Sequence, residues 1–348
     1  MVEAMQVEEH FDFLLYAVFN ICNFFHAHPD ANAMTDLLCA DRIMTRITYF
    51  FAARPIVPAL LYTSMFTEAQ RRDFYMETII HIASVDGAHA DFTNKYGTVA
   101  FVEKIFATPY DVETHFPVIK LTAMLSMSNS ISTRFAVTGL VDKLVAEYLH
   151  PQFGPEACNC VLIVIHNAAD SPVGSSMLSK YAKYLLDYLN QDDCETSSYL
   201  VTGFLSNLCA HLPRDKALTL RQHGVVEHFK AVLASHDEDS GYISSCIGLI
   251  VLAANQVLES SSTLDPTALQ AIFNDYFLND NEILEKMLEC FDAALRRELF
   301  SDTLFDPWLP AQLIGCLILN PRFVERIVAS SAFNNLLMCC SQGDSRAQ

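Results

Sequence analysis

The chain has 348 residues, of which 51% are hydrophobic, and its 41 acidic and 22 basic residues give a net charge of −19. This acidic balance argues against nucleic acid and anionic membrane surfaces as ligands, because phosphate binding needs clustered lysine and arginine. It suits a basic or mixed-charge protein partner instead. Glycine (11) and proline (13) are both scarce, which favours a largely helical chain.

The cysteine usage points to a reducing compartment. The 11 cysteines form no regular framework, and most lie in apolar runs where a free thiol behaves as a small hydrophobe. We therefore expect a cytoplasmic protein, with association to the cytoskeleton or a nuclear location left open. The acidic N-terminus lacks the basic region of a signal peptide, and no apolar stretch is long enough to span a bilayer.

Near the N-terminus, the segments 16–25 (YAVFNICNFF) and 39–51 (CADRIMTRITYFF) resemble a third and a second helix of the repeats described next. The residues that follow include Pro55 and Pro58, and proline removes a helical hydrogen bond and clashes with the preceding turn. We therefore expect the stretch 41–90 to be an irregular part of the pattern described next.

A repeat becomes visible through its glycines. Gly97 and Gly139 are 42 residues apart, and Gly224 follows 85 residues later, with a similar segment at 178–191 lying midway. Each glycine follows a polar helix end and precedes an amphipathic run, as in AVTGLVDKLVAEYLH (136–150). A period of about 42 residues is typical of helical repeat proteins.

Each repeat is predicted to contain three helices. In the clearest one, a first helix at 213–224 stops at its glycine, a second follows at 225–235 and a third at 239–258. Glycine suits the end of the first helix because that position often needs a left-handed backbone. The third helix of the preceding repeat, 191–211, has apolar residues spaced for one wide buried stripe: Leu200, Val201, Phe204, Leu205 and Leu208.

The C-terminal third is less regular. Helices are predicted across 260–312, but no glycine marks them, and a partial repeat follows at 310–341. Trp308 stands just before Pro310, and we interpret it as an anchor for the start of the last third helix. A binding hot spot at this tryptophan is the alternative.

These repeats resemble the armadillo family, in which a third helix ends in a run like alanine-leucine-x-asparagine-leucine-alanine. FLSNLCAH (204–211) and VIHNAAD (164–170) are similar to that ending, and the segment 313–338 is similar to a third–first–second helix junction. The resemblance implies an all-α, right-handed α-solenoid of about six to seven three-helix repeats, forming a single domain over 1–348. It is clearest over 90–260.

Signals of catalysis are absent from the sequence. None of the motifs GxGxxG, GxxxxGK[ST], HExxH and GxSxG is present. Cys158, Cys160 and His166 could suggest a metal, but structural zinc favours CxxC-type spacing and four ligands, so core packing is the favoured interpretation. HAHPD (26–30) is interpreted as a solvated turn. We expect no catalytic residue, metal ion, cofactor or small-molecule substrate.

The resemblance singles out one position near the end of each third helix, where the armadillo family carries an asparagine. An asparagine amide both donates and accepts hydrogen bonds, so it can bind the backbone of an extended peptide. The position falls on Asn20, His81, Ser126, Asn167, Asn207, Leu252 and Cys316. The last two cannot substitute well, and the other five together with His211 form the predicted partner-binding surface. The alternative is that the asparagines bind a neighbouring repeat and hold the fold together.

The sequence argues against one function found in the armadillo family, the carrying of nuclear signals. Armadillo carriers of nuclear signals place a tryptophan one turn before each such asparagine, where it binds basic side chains. Ile163 and Gly203 occupy these places here. The resemblance therefore implies a non-enzymatic scaffold that binds a peptide or helix of another protein in a concave groove, with a cytoskeletal or ciliary role as a hypothesis. The alternative hypothesis is a regulator that grips a chaperone or small GTPase and promotes nucleotide exchange.

Overall fold

The computed structural model describes residues 76–77, 79–85, 87–94, 97–107, 112–189, 195–234, 241–260 and 321–341, together with Leu288 and Asp292. Every regular element among these residues is a helix, which confirms the predicted all-α fold. The chain divides into two compact units, Met1–Ala168 and Ala169–Gln348, which are described in turn.

Among the described residues of the first unit, two successive sets of three helices follow the helical segment 79–83. Their bounds are α1 Gly87–Asn94, α2 Thr98–Phe106, α3 Val112–Leu125, α4 Asn129–Val137, α5 Leu140–Tyr148 and α6 Gly154–Ala168. A short 3-10 turn, Pro151–Phe153, precedes α6. The two longest helices, α3 and α6, pack side by side, and α4 and α5 both pack against α6. Each set therefore closes with a long third helix.

The second unit continues the same order. Its helices are α7 Pro172–Leu178, α8 Ala182–Leu189, α9 Glu195–His211, α10 Arg214–Thr219, α11 Val225–Ala234, α12 Tyr242–Ser260, α13 Pro321–Ala329 and α14 Ser331–Ser341. The third helices α9 and α12 pack side by side, and α11 packs against α12. The helices predicted at 225–235 and 239–258 are thus confirmed as α11 and α12.

The repeat glycines have the backbone that the sequence predicts. Gly97, Gly139 and Gly224 each precede a second helix, with φ of 84°, 76° and 85°. A positive φ of this size belongs to the left-handed region, which residues with a side chain adopt only at an energetic cost. The repeat of α7 and α8 has no glycine at this junction, because the 3-10 turn Ser179–Tyr181 joins the two helices instead. Ser330 holds the equivalent place between α13 and α14.

Replacing Gly224 with alanine should lower the free energy of unfolding by about 1 kcal/mol. Space is not the cause, since the nearest atom to an added Cβ is Glu227 Oε2 at 4.0 Å; the cause is the left-handed backbone at φ 85°. Urea unfolding followed by circular dichroism measures the loss. Gly224→Asn serves as the control, because asparagine tolerates this region better and should lose less. An alanine variant as stable as the parent would contradict the interpretation.

The predicted apolar face of α9 forms part of the core of the second unit. Leu200, Val201, Phe204, Leu205 and Leu208 are all buried, which confirms the assignment of that face to the interior. The largest fully buried side chains among the described residues are aromatic: Phe106, Phe135 and Tyr148 in the first unit, and Phe204 and Phe229 in the second. Phe106 and Tyr148 meet edge to face, with ring centroids 5.7 Å apart.

One helix contact in the second unit leaves no room for a side chain. A Cβ built on Gly248 of α12 would lie 2.3 Å from Cε2 of Phe229, a fully buried ring on α11. Glycine at this place therefore lets α11 and α12 approach each other closely.

A buried hydrogen bond joins α11 to α9. The Thr202 hydroxyl lies 2.7 Å from the Ser198 carbonyl and 2.9 Å from Nε2 of His228. Because the hydroxyl hydrogen is donated to that carbonyl, the hydroxyl accepts from Nε2–H of the imidazole. Burial lowers the pKa of His228 to about 4, so the ring is neutral near pH 7.

Some predicted features lie outside the described residues, and they remain predictions. They are the helices at 16–25 and 39–51, the turn at 26–30, most of the irregular stretches 41–90 and 260–312, Trp308 and Pro310. Among the described helices, none combines the length and the apolar character that crossing a membrane requires.

Candidate functional site

The third helices of the repeats carry the candidate site. We call α3, α6, α9 and α12 the ladder helices, because each has a residue of the asparagine position in its C-terminal half or directly after it. In each unit two of them lie side by side. The candidate residues can therefore be described pairwise, α3 with α6 and α9 with α12.

In the first unit a hydrogen bond joins the residues at the asparagine position of two successive repeats. Nδ2 of Asn167 on α6 donates a hydrogen bond of 2.9 Å to the hydroxyl of Ser126, just after α3. Ser126 is fully buried and donates in turn to the Ala123 carbonyl at 2.6 Å. Ser126 therefore lies beneath Asn167 and has no exposed surface in this structure, and a role for it in binding a partner remains a prediction.

His81 is the other candidate of the first unit within the described residues. It lies in the helical segment 79–83 and is half-buried. Its carbonyl accepts a hydrogen bond of 2.8 Å from the Ser84 hydroxyl, which closes the last turn of that segment. A role for its imidazole in binding a partner remains a prediction, and the same holds for Asn20, which lies outside the described residues.

In the second unit the candidate residues lie near the C-terminal end of α9. Asn207 is half-buried, and the buried Ser175 hydroxyl of α7 lies 3.4 Å from the backbone carbonyl oxygen of Asn207. Nε2 of His211 lies 3.3 Å from Oδ1 of Asp170, and the two side chains are 31% and 52% exposed. This partly exposed pair involves the residue four positions after Asn207 on α9.

The asparagine position of α12 is occupied by an apolar residue. Leu252 is fully buried and belongs to the core, as an apolar residue would. Cys316 lies outside the described residues. The second unit therefore contributes one amide at this position, Asn207, among the residues that the structure describes.

The structure adds neighbours of the candidate residues, of which the sequence analysis had considered only Gly203. On α9 the exposed Tyr199 and the buried Gly203 precede Asn207 at four-residue intervals, so the three share one helix face. On α3 and α6, Nζ of Lys120 lies 4.0 Å from Oε1 of Glu156. Reading eight residues upstream of Asn207 would have found Tyr199. The contacts of Lys120 with Glu156 and of His211 with Asp170 need the structure.

The cysteine group suggested as a metal site is part of the core. Cys158 and Cys160 are both buried, and the Cys158 thiol donates to the His150 carbonyl at 3.3 Å. Burial, and to a smaller extent Glu156, raises the pKa of Cys160 to about 11, and burial raises that of Cys209 further. Within the described ranges no three His, Cys, Asp or Glu residues are grouped so as to hold a metal ion.

Comparison with known proteins identifies the fold. No family model matches the chain, and none of the curated proteins matches it. Among solved structures, a designed armadillo repeat protein is 13% identical with a TM-score of 0.54, covering 72% of this chain and 98% of that one. An engineered protein from the Northeast Structural Genomics Consortium is 12% identical with a TM-score of 0.55, covering 96% and 92%.

A further designed armadillo repeat protein was solved in complex with the peptide (KR)4. It is 12% identical to this chain with a TM-score of 0.53, and the match covers 72% of this chain and 97% of that one. At these identities the similarity concerns the fold, and it confirms the predicted armadillo-like, all-α solenoid. The handedness and the number of repeats remain predictions.

Proposed function

We propose that the chain is a non-enzymatic scaffold that binds a segment of another protein along its ladder helices. The observation that carries the proposal is a half-buried amide at the asparagine position in each unit, Asn167 in the first and Asn207 in the second. An armadillo-like protein in complex with a peptide supports this type of binding for the fold. No nucleic acid, membrane or small-molecule substrate forms part of the proposal.

The bond between Asn167 and Ser126 is compatible with binding a partner. It uses one of the two N–H donors of the amide. The second N–H and the carbonyl oxygen can then pair with the backbone of an extended segment. The structural interpretation of the asparagine and the binding interpretation therefore apply to different atoms of one side chain.

The proposal places the protein in the cytoplasm, and a cytoskeletal or ciliary setting remains a hypothesis. The rival hypothesis, a nucleotide-exchange regulator, makes a different demand. It requires that mixing the chain with a chaperone or small GTPase accelerates nucleotide release. The scaffold requires no such acceleration.

Changing Asn167, Asn207 and His211 together to alanine should abolish partner capture while leaving the fold intact. These side chains are partly exposed, so their loss removes hydrogen bonds to a partner with little change in the core. The measurement is affinity purification from native cells with quantitative mass spectrometry, beside a thermal unfolding curve of each variant.

The matched control changes the same residue types outside the ladder. Asn129, His223 and Asn334 are all exposed on first and second helices or their ends, and their triple change to alanine should leave capture unaltered. If the variant changed at Asn167, Asn207 and His211 is folded and recovers the same partners as the parent chain, the proposal is contradicted.

A further inference from the structure

The ladder helices carry few charges although the chain is strongly acidic. Over lengths of 14, 15, 17 and 19 residues, each has one or two charged residues. These are Glu113 and Lys120 in α3, Glu156 in α6, Glu195 in α9 and Glu259 in α12. The second helices α2, α5, α8 and α11 each have two or three within 8 to 10 residues. The acidic surplus is therefore not concentrated on the helices that carry the candidate site.

In the first unit the partly exposed side chains of α3 and α6 form two parallel stripes. Each stripe advances by four residues, which keeps its members on one helix face. We call these six half-buried residues the unit-1 ladder face: Phe116, Lys120 and Met124 on α3, and Asn159, Ile163 and Asn167 on α6. Met127, 41% exposed, extends the α3 stripe just beyond the helix.

Two contacts of polar side chains lie at the two ends of this face. Lys120 lies 4.0 Å from Glu156, so the lysine and the single carboxylate of α6 largely offset each other. Asn167 is held by Ser126 at the other end. Between these contacts lie Met124 on α3 and Ile163 on α6, and methionine in particular adapts to varied apolar surfaces.

From this arrangement we infer that the unit-1 ladder face binds an extended protein segment with apolar anchor side chains and few charges, rather than a lysine- and arginine-rich one. The inference rests on the proposed function and adds the chemistry of the partner. A basic segment would gain little here, because Glu156, the one carboxylate of α6, already lies beside a lysine, and the other side chains of the face are thioether, aliphatic, aromatic or amide. An apolar segment can bury Met124 and Ile163 while its backbone pairs with the Asn167 amide.

The test is selection of a displayed random-peptide library on the full chain, followed by fluorescence polarisation with the enriched peptides and with (KR)4 as the basic probe. We expect enriched peptides that are apolar and weakly charged, and whose affinity changes little with salt, since screening acts on charges. Ile163→Glu and Met127→Glu should each weaken them by about tenfold or more, because each places a carboxylate against an apolar anchor.

Met127 is exposed, so its variant remains informative if the Ile163 variant fails to fold. Val137→Glu is the matched control, since this residue of α4 is 56% exposed and lies outside the face; it should bind as the parent chain does. Enrichment of basic, salt-sensitive peptides that still depend on Asn167 would overturn the inference and leave the proposed function standing. Apolar peptides indifferent to both glutamate variants would also overturn it, and no enrichment at all would overturn both.

Discussion

Replacing Gly248 with valine should lower the free energy of unfolding by about 3 kcal/mol, which is the upper part of the range for overpacked cores. A Cβ at this place would lie 2.3 Å from Cε2 and 2.5 Å from Cζ of Phe229. The ring is fully buried and cannot swing into solvent, so α11 and α12 must separate. Helix propensity alone predicts the opposite sign, because glycine is the weaker helix former by about 1 kcal/mol.

Denaturant unfolding of three variants separates the clash from other effects. Gly248→Ala should also destabilise, but by less than valine. Phe229→Leu should restore part of the loss when combined with Gly248→Val, since the two residues touch and their effects should not add. Ser244→Val places a β-branched residue on the same helix without this contact, and it should cost little. A Gly248→Val variant as stable as the parent would show that the close approach is not made.

Acidification from pH 6.5 to pH 4 should destabilise the protein by roughly 3 kcal/mol through His228 alone. The pKa of this imidazole falls from 6.5 to about 4 on folding, because burial disfavours its charged form. Between these two values the unfolded chain binds the proton and the folded chain does not. Stability is therefore complete above pH 6.5 and falls as the pH drops towards 4.

The variant His228→Gln isolates this contribution. Glutamine supplies an N–H donor for the Thr202 hydroxyl, which the histidine reaches at 2.9 Å, but it does not titrate. The parent chain should lose roughly 3 kcal/mol more than the variant over this pH interval in urea unfolding, and the carboxylates titrate equally in both chains. Parallel stability curves for the two proteins would refute the assignment.

The fold was predictable because local and long-range signals coincide in the sequence. Gly97, Gly139 and Gly224 mark the same junction in three repeats, and each adopts the left-handed backbone. The stripe of α9 from Leu200 to Leu208 is buried as its spacing requires. What spacing could not show is contact between helices. The close approach of Gly248 to Phe229 depends on how α11 crosses α12, so the sequence shows only a glycine within an apolar run.

The candidate site was predictable by position but not by contact. Asn167 and Asn207 stand where the resemblance put them, at the ends of ladder helices. That Ser126 is buried beneath Asn167 follows from the packing of α3 on α6, which no motif encodes. The pairing of His211 with Asp170 likewise joins residues 41 positions apart. Their short separation arises from the repeat and from side-chain rotamers, which a single sequence does not reveal.

The buried thiols of the core have a chemical consequence for the whole chain. Oxidants and alkylating reagents attack the thiolate, and at pH 7 a thiol with a pKa of about 11 is ionised in roughly one molecule in ten thousand. Cys158, Cys160 and Cys209 are in addition shielded from collision by burial. In the folded chain these three thiols should therefore react slowly with such reagents.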